Sequence, residues 1–490
     1  MSNMNFGLLA PALLVLYGML TVLLVEILTP GDTRPRARDL PPVLALLSLA
    51  FTLGAIFVRW PGATGAEGFS GMITADRFAL FGQGVIALAG VLGVLTAWNY
   101  LRTVGEDHSE FYALLLSAVF GAMIMVGAAD LVMVFLGLEI LSISAYVLAG
   151  FLRLRTESGE SALKYFFLGA FSTGFLLYGI ALVFGATGST HLTTIATKID
   201  GESAMLLVGL ALILVGFGFK IAAFPFHVWT PDVYQGAPSP VAGFMAAAVK
   251  TASFVTMLRV LMVAFGDLIG EWGFILYYLA IATMVFGNFG ALVQNHLKRL
   301  LAYSSIAHAG YLLVGVSAVM RCPSEGLGAV LFYLLAYTLM TVGAFAVVGH
   351  LSRREADADH LDTYRGLAKR HPWLAGGLTI YLMSMAGLPP LIGFVGKFAL
   401  FAAAVKAELV QLAVVGILTS AVSVYYYIRV VYIMYMTEPE ADAPVAVGQP
   451  QDWPGKAALI VTAVLVVLLG IVPGPWLAWA RASARFLLGE

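Results

Sequence analysis

The sequence predicts an all-α polytopic membrane protein of about fourteen transmembrane helices, and three observations carry that expectation. Of 490 residues, 60% are hydrophobic and only 11% are charged, against about 45–50% and about 25% in soluble domains. So few charges cannot cover a soluble surface. The apolar residues also fall into runs near the roughly 20 residues that a helix needs to cross a bilayer. Between them, the sizeable hydrophilic stretches, near 30–41, 59–77, 187–202, 351–372 and 437–455, are too short to hold a soluble domain.

In order, the candidate spans are 7–29, 42–58, 78–101, 111–128, 130–150, 162–186, 203–229, 239–265, 273–292, 301–320, 325–350, 373–405, 408–436 and 456–480. The start, MSNMNFGLLAPALL, lacks a basic segment and a small-residue cleavage site, so it reads as the first span and not as a removed signal peptide. Spans seven and twelve are too long for one straight helix. The first carries Pro225 in its interior and the second Pro389 and Pro390. Proline removes a backbone hydrogen bond and clashes with the preceding turn, so both are expected to be discontinuous. They lie five helices apart. A five-helix unit repeated in tandem must come out upside down, because five is odd. Residues 1–490 are therefore expected to form a single integral membrane domain. It comprises helices one to three (1–101), an inverted pair of five-helix repeats, spans 4–8 (111–265) and 9–13 (273–436), and a C-terminal helix (456–480).

Orientation follows from Lys and Arg in the connections. Alternate loops, starting after span one, hold Arg34, Arg36, Arg38, Arg102, Arg153, Arg155, Lys298, Arg299, Arg353, Arg354, Arg365, Lys369, Arg370 and Lys456. The opposite set holds only Arg59, Arg77, Lys198, Arg321, Lys406, Arg481 and Arg485. The richer set is expected in the cytoplasm, with both termini outside. Net charge is −1 and no basic run occurs, which argues against a nucleic-acid partner. One cysteine, Cys322, excludes a disulfide within the chain, a cysteine-ligated iron–sulfur cluster and a four-cysteine zinc site.

Six basic residues remain inside spans: Lys164, Lys220, Lys250, Arg259, Lys397 and Arg429. Each costs about 2.5–3.5 kcal/mol on insertion scales when placed centrally. Arg259, Arg429 and Lys164 lie near helix ends and can snorkel to the interface. Lys220, Lys250 and Lys397 sit among apolar and small residues for a turn or more, and the topology steps them across the membrane. Glu139 lies mid-span, with Ser142 and Tyr146 on its helical face at i+3 and i+7. It is expected to face one of the lysines. Desolvation lowers a lysine's pKa and a nearby carboxylate raises it; changing the Glu–Lys distance would then load or release a proton without a cofactor. In span ten, Ser304, His308 and Tyr311 share a face. A b-type haem usually needs two pairs of axial histidines, and only His227 and His308 lie deep, so a hydrogen-bonded relay is the preferred reading for both. Paired discontinuous helices in inverted repeats point to a transporter's ion path.

The segment KIAAFPFHVWTPDVYQGAPSPVAGFMAAAVK (220–250), SSIAHAGYLL in span ten and GLPPLIGFVGKF in span twelve resemble the antiporter-like membrane subunits of proton-pumping NADH:quinone oxidoreductase, respiratory complex I. The wording HVWTPDVYQGAPSPV is similar to the N type. The resemblance covers essentially the whole chain. It implies proton translocation through Glu139, Lys164, Lys220, His227, Lys250, His308 and Lys397, with no catalytic, cofactor-binding or metal-binding residue in this chain. A lysine at 397 fits the N and L types, and a chain ending after span fourteen lacks the lateral helix of the L type. The resemblance further implies a bacterial inner-membrane location and other complex I membrane subunits as partners. NADH, FMN, iron–sulfur clusters and quinone would belong to partner subunits. The alternatives are a subunit of a multisubunit Na⁺/H⁺ antiporter or of a related hydrogenase or photosynthetic complex.

Overall fold

The computed structural model describes residues 5–28, 35–201, 203–352, 359–438 and 452–488. Arg34, Arg353 and Arg354, and the side chain of Arg36, lie outside the described residues. The fold is helical throughout, except for a two-residue antiparallel hairpin, β1 (Glu67–Gly68) with β2 (Ile73–Thr74), between the second and third helices.

Helices α1 (Ala10–Leu28), α2 (Pro35–Arg59) and α3 (Arg77–Val104) form the N-terminal group. The first five-helix unit holds α4 (Ser109–Val126), α5 (Leu131–Ala149) and α6 (Thr156–Thr187), the short surface helix α7 (Leu192–Ala196), then α8 (Ala204–Lys220), α9 (Thr230–Gly236), α10 (Ser239–Phe244) and α11 (Lys250–Ala264). The second holds α12 (Ile269–Leu292), α13 (Leu297–Ala318), α14 (Pro323–Leu351), α15 (Leu367–Arg370), α16 (Pro372–Ala386), α17 (Ile392–Lys406) and α18 (Val410–Met436). Helices α19 (Trp453–Ile471) and α20 (Gly474–Leu487) follow.

Among the described residues, twelve helical runs are long and apolar enough to span a bilayer. The seventh and twelfth expected spans complete the fourteen, and both are broken. Helix α8 stops at Lys220, and Ile221–Trp229 run as turns before α9. The second break lies between α16 and α17, around Pro389 and Pro390. Gly387 ends α16 at φ 90°, a left-handed conformation that side chains resist. The last span is shorter than 456–480. Residues around Pro473 separate α19 from α20, since proline cannot continue a helix across its missing donor. Span eight is also irregular: Met245–Val249 form a π-turn between α10 and α11.

The second unit repeats the order of the first. In each, the opening pair of helices touches backbone to backbone through glycine. A Cβ on Gly137 of α5 would lie 2.6 Å from Met125 N of α4, and one on Gly287 of α12 would lie 2.5 Å from Ala307 N of α13. Lacking a hydrophobic force between helices in lipid, such contact supplies the dispersion that holds them. Helix α14 is buried along nearly its whole length and forms the core. By contrast, α6 and α18 turn rows of Phe, Leu, Ile and Tyr outward, among them Phe167, Phe171, Ile417 and Leu418.

Candidate proton-translocation site

Among the described residues, four lysines are buried, and the three that lie inside spans, Lys220, Lys250 and Lys397, are 2%, 1% and 4% exposed. Each ammonium is held by hydroxyl or carbonyl oxygen. Lys220, the last residue of α8, donates to Ser142 Oγ at 2.7 Å and to Tyr146 Oη at 3.3 Å, both on α5. Its Nζ also stands 5.3 Å from the Tyr146 ring centre and 5.7 Å from that of Tyr165, within cation–π range.

Lys250 follows the π-turn directly. Such turns recur at functional sites because the extra residue re-aims the next side chain. Its Nζ lies 2.5 Å from both the carbonyl oxygen and the hydroxyl of Ser305 on α13. The ring centre of Tyr337 lies 5.9 Å from the same Nζ.

His308 lies one turn beyond Ser304 on α13. Its Nδ1 is 2.6 Å from Tyr333 Oη and its Nε2 is 3.1 Å from Tyr427 Oη, which also contacts Ser304 Oγ. Tyr333 packs over Gly396, where a Cβ would lie 2.4 Å from its ring. Lys397, the next residue, donates to Ser420 Oγ at 2.8 Å and to Ala386 O at 3.3 Å, and its Nζ is 4.8 Å from the Tyr311 ring centre. Ala386 is the last residue of α16, so the ammonium meets the negative end of a half-helix.

The expected pairing of Glu139 with a lysine is not what the fold builds. Among the described residues, no lysine lies within ion-pair distance of Glu139, and its Oε1 is buried without a partner. Lys220 reaches the predicted face of α5 but is taken by Ser142 and Tyr146, one and two turns further on. Arg259 also departs from expectation. It does not snorkel but forms a two-pronged, buried ion pair with Asp76, at 2.7 and 2.8 Å, and donates to Val126 O at 3.2 Å. Asp76 also caps α3 by accepting from Ala79 N at 2.6 Å. The guanidinium stays inside because its charge is matched there. Arg429 reaches the end of α12, donating to Gln294 O at 3.2 Å and Asn295 Oδ1 at 2.7 Å.

Lys164 is 40% exposed along its side chain and pairs with Glu160 at 2.5 Å and Asp232 at 2.6 Å. Asp232, in the connection after the broken span seven, also receives Arg299 at 2.5 Å. Burial would raise its carboxyl, but the hydrogen bonds and charges of Lys164 and Arg299 outweigh that and hold it below the usual range. His227 lies in the turn between α8 and α9, half-buried, with Nδ1 buried and unpartnered and its ring 5.5 Å from Phe224. Among the described residues, no hydrogen bond joins its ring to a lysine.

Sequence reasoning missed Ser305, Tyr333, Tyr427, Ser420 and Asp232. Asp232 and Ser305 carried a signal, as members of the quoted WTPD and SSIAHAGYLL segments. The others are ordinary hydroxyl residues that become partners only through packing.

Paired broken helices and buried lysines on a glycine-crossed bundle define a membrane subunit of the antiporter-like class. Residues 128–423 match the family model described as NADH:quinone oxidoreductase/Mrp antiporter, transmembrane. The NADH-quinone oxidoreductase subunit N of Trichlorobacter lovleyi is 43% identical, over 99% of this chain and 98% of that protein. A chain of respiratory complex I from Thermus thermophilus with bound aureothin superposes at a TM-score of 0.80, with 35% identity over 96% of this chain and 99% of that one. A chain of the Mrp complex from Dietzia superposes at 0.84 with 21% identity, over 99% of this chain and 98% of that one, a likeness of fold alone. The chain belongs to the NADH-quinone oxidoreductase subunit N family.

Proposed function

We propose that the chain is a proton-translocating, antiporter-like subunit of the membrane arm of an NADH:quinone oxidoreductase, driven by electron transfer in other subunits. Its partners are neighbouring membrane subunits of that complex. NADH, FMN, the iron–sulfur clusters and quinone are assigned to partner subunits. In this reading the chain lies in a bacterial inner membrane with both termini outside, and residues 111–265 and 273–436 act as two inverted halves.

The observation that carries the reading is the contact of Lys250 with Ser305. It joins the central lysine of one half to the helix of the other half that bears Ser304, His308 and Tyr311. A hydroxyl or imidazole both donates and accepts, so a proton can be handed on by reorienting bonds. A carbonyl only accepts, and so holds an ammonium in place without passing its proton. Lys250 is bonded to Ser305, and from the next residue back Ser304, Tyr427, His308 and Tyr333 form such a series, its last ring packed on Gly396 next to Lys397. Lys220, Ser142 and Tyr146 form the corresponding start, with Glu139 one turn away as the mobile charge. Lys164 and His227 lie beside the break in span seven and serve as the approach to Lys220. A carboxylate brought closer to Lys220 favours its charged form, and one withdrawn favours proton release.

The test is NADH-driven proton uptake by vesicles containing the intact complex with its subunit list established. Glu139→Gln should leave assembly intact and strongly reduce uptake. Normal uptake would refute the switch. Purification with only ion-antiporter subunits, and no NADH-oxidising partner, would favour the Na⁺/H⁺ antiporter reading instead.

A further inference from the structure

We propose that one phospholipid is held at the N-terminal end of α3, its acyl chain in an apolar groove and its phosphate against Arg77. The groove encloses about 300 Å³ and is walled by Phe57 of α2 and Trp60 just beyond its end, Gly84 and Leu88 of α3, Leu335 of α14 and Trp479 of α20. Arg77, Phe81, Gly84, Val85 and Leu88 follow i, i+4, i+7, i+8, i+11 spacing, so the guanidinium stands at the head of the stripe that lines the groove. From Arg77 to Leu88 the helix rises about 16 Å at 1.5 Å per residue. That is close to half of the roughly 30 Å hydrocarbon core, the depth of one leaflet.

The mouth of the groove carries the marks of the lipid–water boundary. Trp60 and Trp479 rings lie 4.8 Å apart, Phe81 and Trp479 4.9 Å, and Trp476 and Trp479 6.1 Å. Tryptophan concentrates at headgroup depth. Helix α20, which turns back over α3 and α14 after Pro473, brings two of these rings.

Charge decides the occupant. Arg77 Nη2 donates to Pro61 O at 3.4 Å, but its Nε is buried without a partner. The neighbouring carboxylate, Asp76, is committed to Arg259 on the other side of the helix. Among the described residues, no carboxylate lies within ion-pair distance of Arg77. A buried guanidinium nitrogen calls for an anionic acceptor, and a phosphodiester supplies one in matching geometry. A wholly apolar helix from a neighbouring subunit would leave Arg77 without an anion, whereas a phospholipid supplies both the apolar chain and the anion. The proposal rests on the membrane fold and is independent of the proton path.

Native mass spectrometry of the detergent-washed, assembled complex counts the phospholipids that remain. A Cβ on Gly84 would meet open space, so Gly84→Leu projects into the groove without displacing the protein. Arg77→Gln keeps a donor and deletes the charge, while Arg77→Lys keeps the charge. The unmutated complex and Arg77→Lys should each retain one phospholipid more than Gly84→Leu or Arg77→Gln. Equal counts in all four, or a density map with a neighbouring subunit's helix in the groove, would overturn the proposal.

Discussion

Replacing Lys250 by arginine separates a proton carrier from a fixed charge. A carrier must spend part of each cycle neutral. Arginine holds its proton far more tightly than lysine does in the open, by a gap of at least about 2 units. In one and the same site the neutral fraction would therefore fall at least about a hundredfold, or about 3 kcal/mol at 1.36 kcal/mol per unit. The Ser305 contacts at 2.5 Å would still be available to a guanidinium, so Lys250→Arg should assemble. Lys250→Met is the companion variant, keeping much of the length and the apolar stem while deleting the titrating group. Proton uptake into sealed vesicles and NADH oxidation, measured together, should both fall at least tenfold in Lys250→Met, with Lys250→Arg performing nearly as badly. If Lys250→Arg pumps with the unmutated ratio of protons to electrons, charge alone suffices and Lys250 is not a carrier.

Three further outcomes are expected. Glu139→Asp, which shortens the reach by one methylene, should reduce proton uptake less than Glu139→Gln does, measured in the same vesicles. Tyr427→Phe strips the hydroxyl shared by Ser304 and His308, leaves two buried polar groups short of a partner at about 1–3 kcal/mol each, and should slow proton transfer without loss of assembly; an unchanged rate would remove Tyr427 from the path. Arg259→Met leaves Asp76 buried and uncompensated, a loss of about 3–5 kcal/mol, read as a lowered melting temperature of the solubilised complex, with the ratio of protons to electrons unaltered in what survives.

What could be read from the sequence was whatever costs free energy in lipid. Lys220, Lys250 and Lys397 stood out because a charge among apolar residues is expensive, and Pro225, Pro389 and Pro390 because their backbone cannot continue a helix. Helical spacing also placed Ser142 and Tyr146 on the right face of α5. Partners were not legible, since Ser305 lies 55 positions from Lys250 and Tyr427 lies 119 from His308. No composition distinguishes MAAAV as a π-turn from the same residues in an α-helix. Arg259 was misread for the same reason, because Asp76, its counter-charge, lies 183 positions away. For Glu139 the face was legible and the contact was not: Lys220 meets α5 at Ser142 and Tyr146, one and two turns further on.

Helix α13 changes allegiance along its length. Its first turn is gripped by the first half of the molecule, through Arg299 on Asp232 and Lys298 on Ala237 O at 2.7 Å. Ser305 is still claimed from that side by Lys250, yet His308, three residues on, is held by Tyr333 and Tyr427 of its own half. The seam between the halves is thus a stitched joint and not a sliding plane. Neither half can shift as a separate body without stretching the two bonds by which Ser305 holds the central lysine. A displacement there would act on the wiring and the frame in the same stroke.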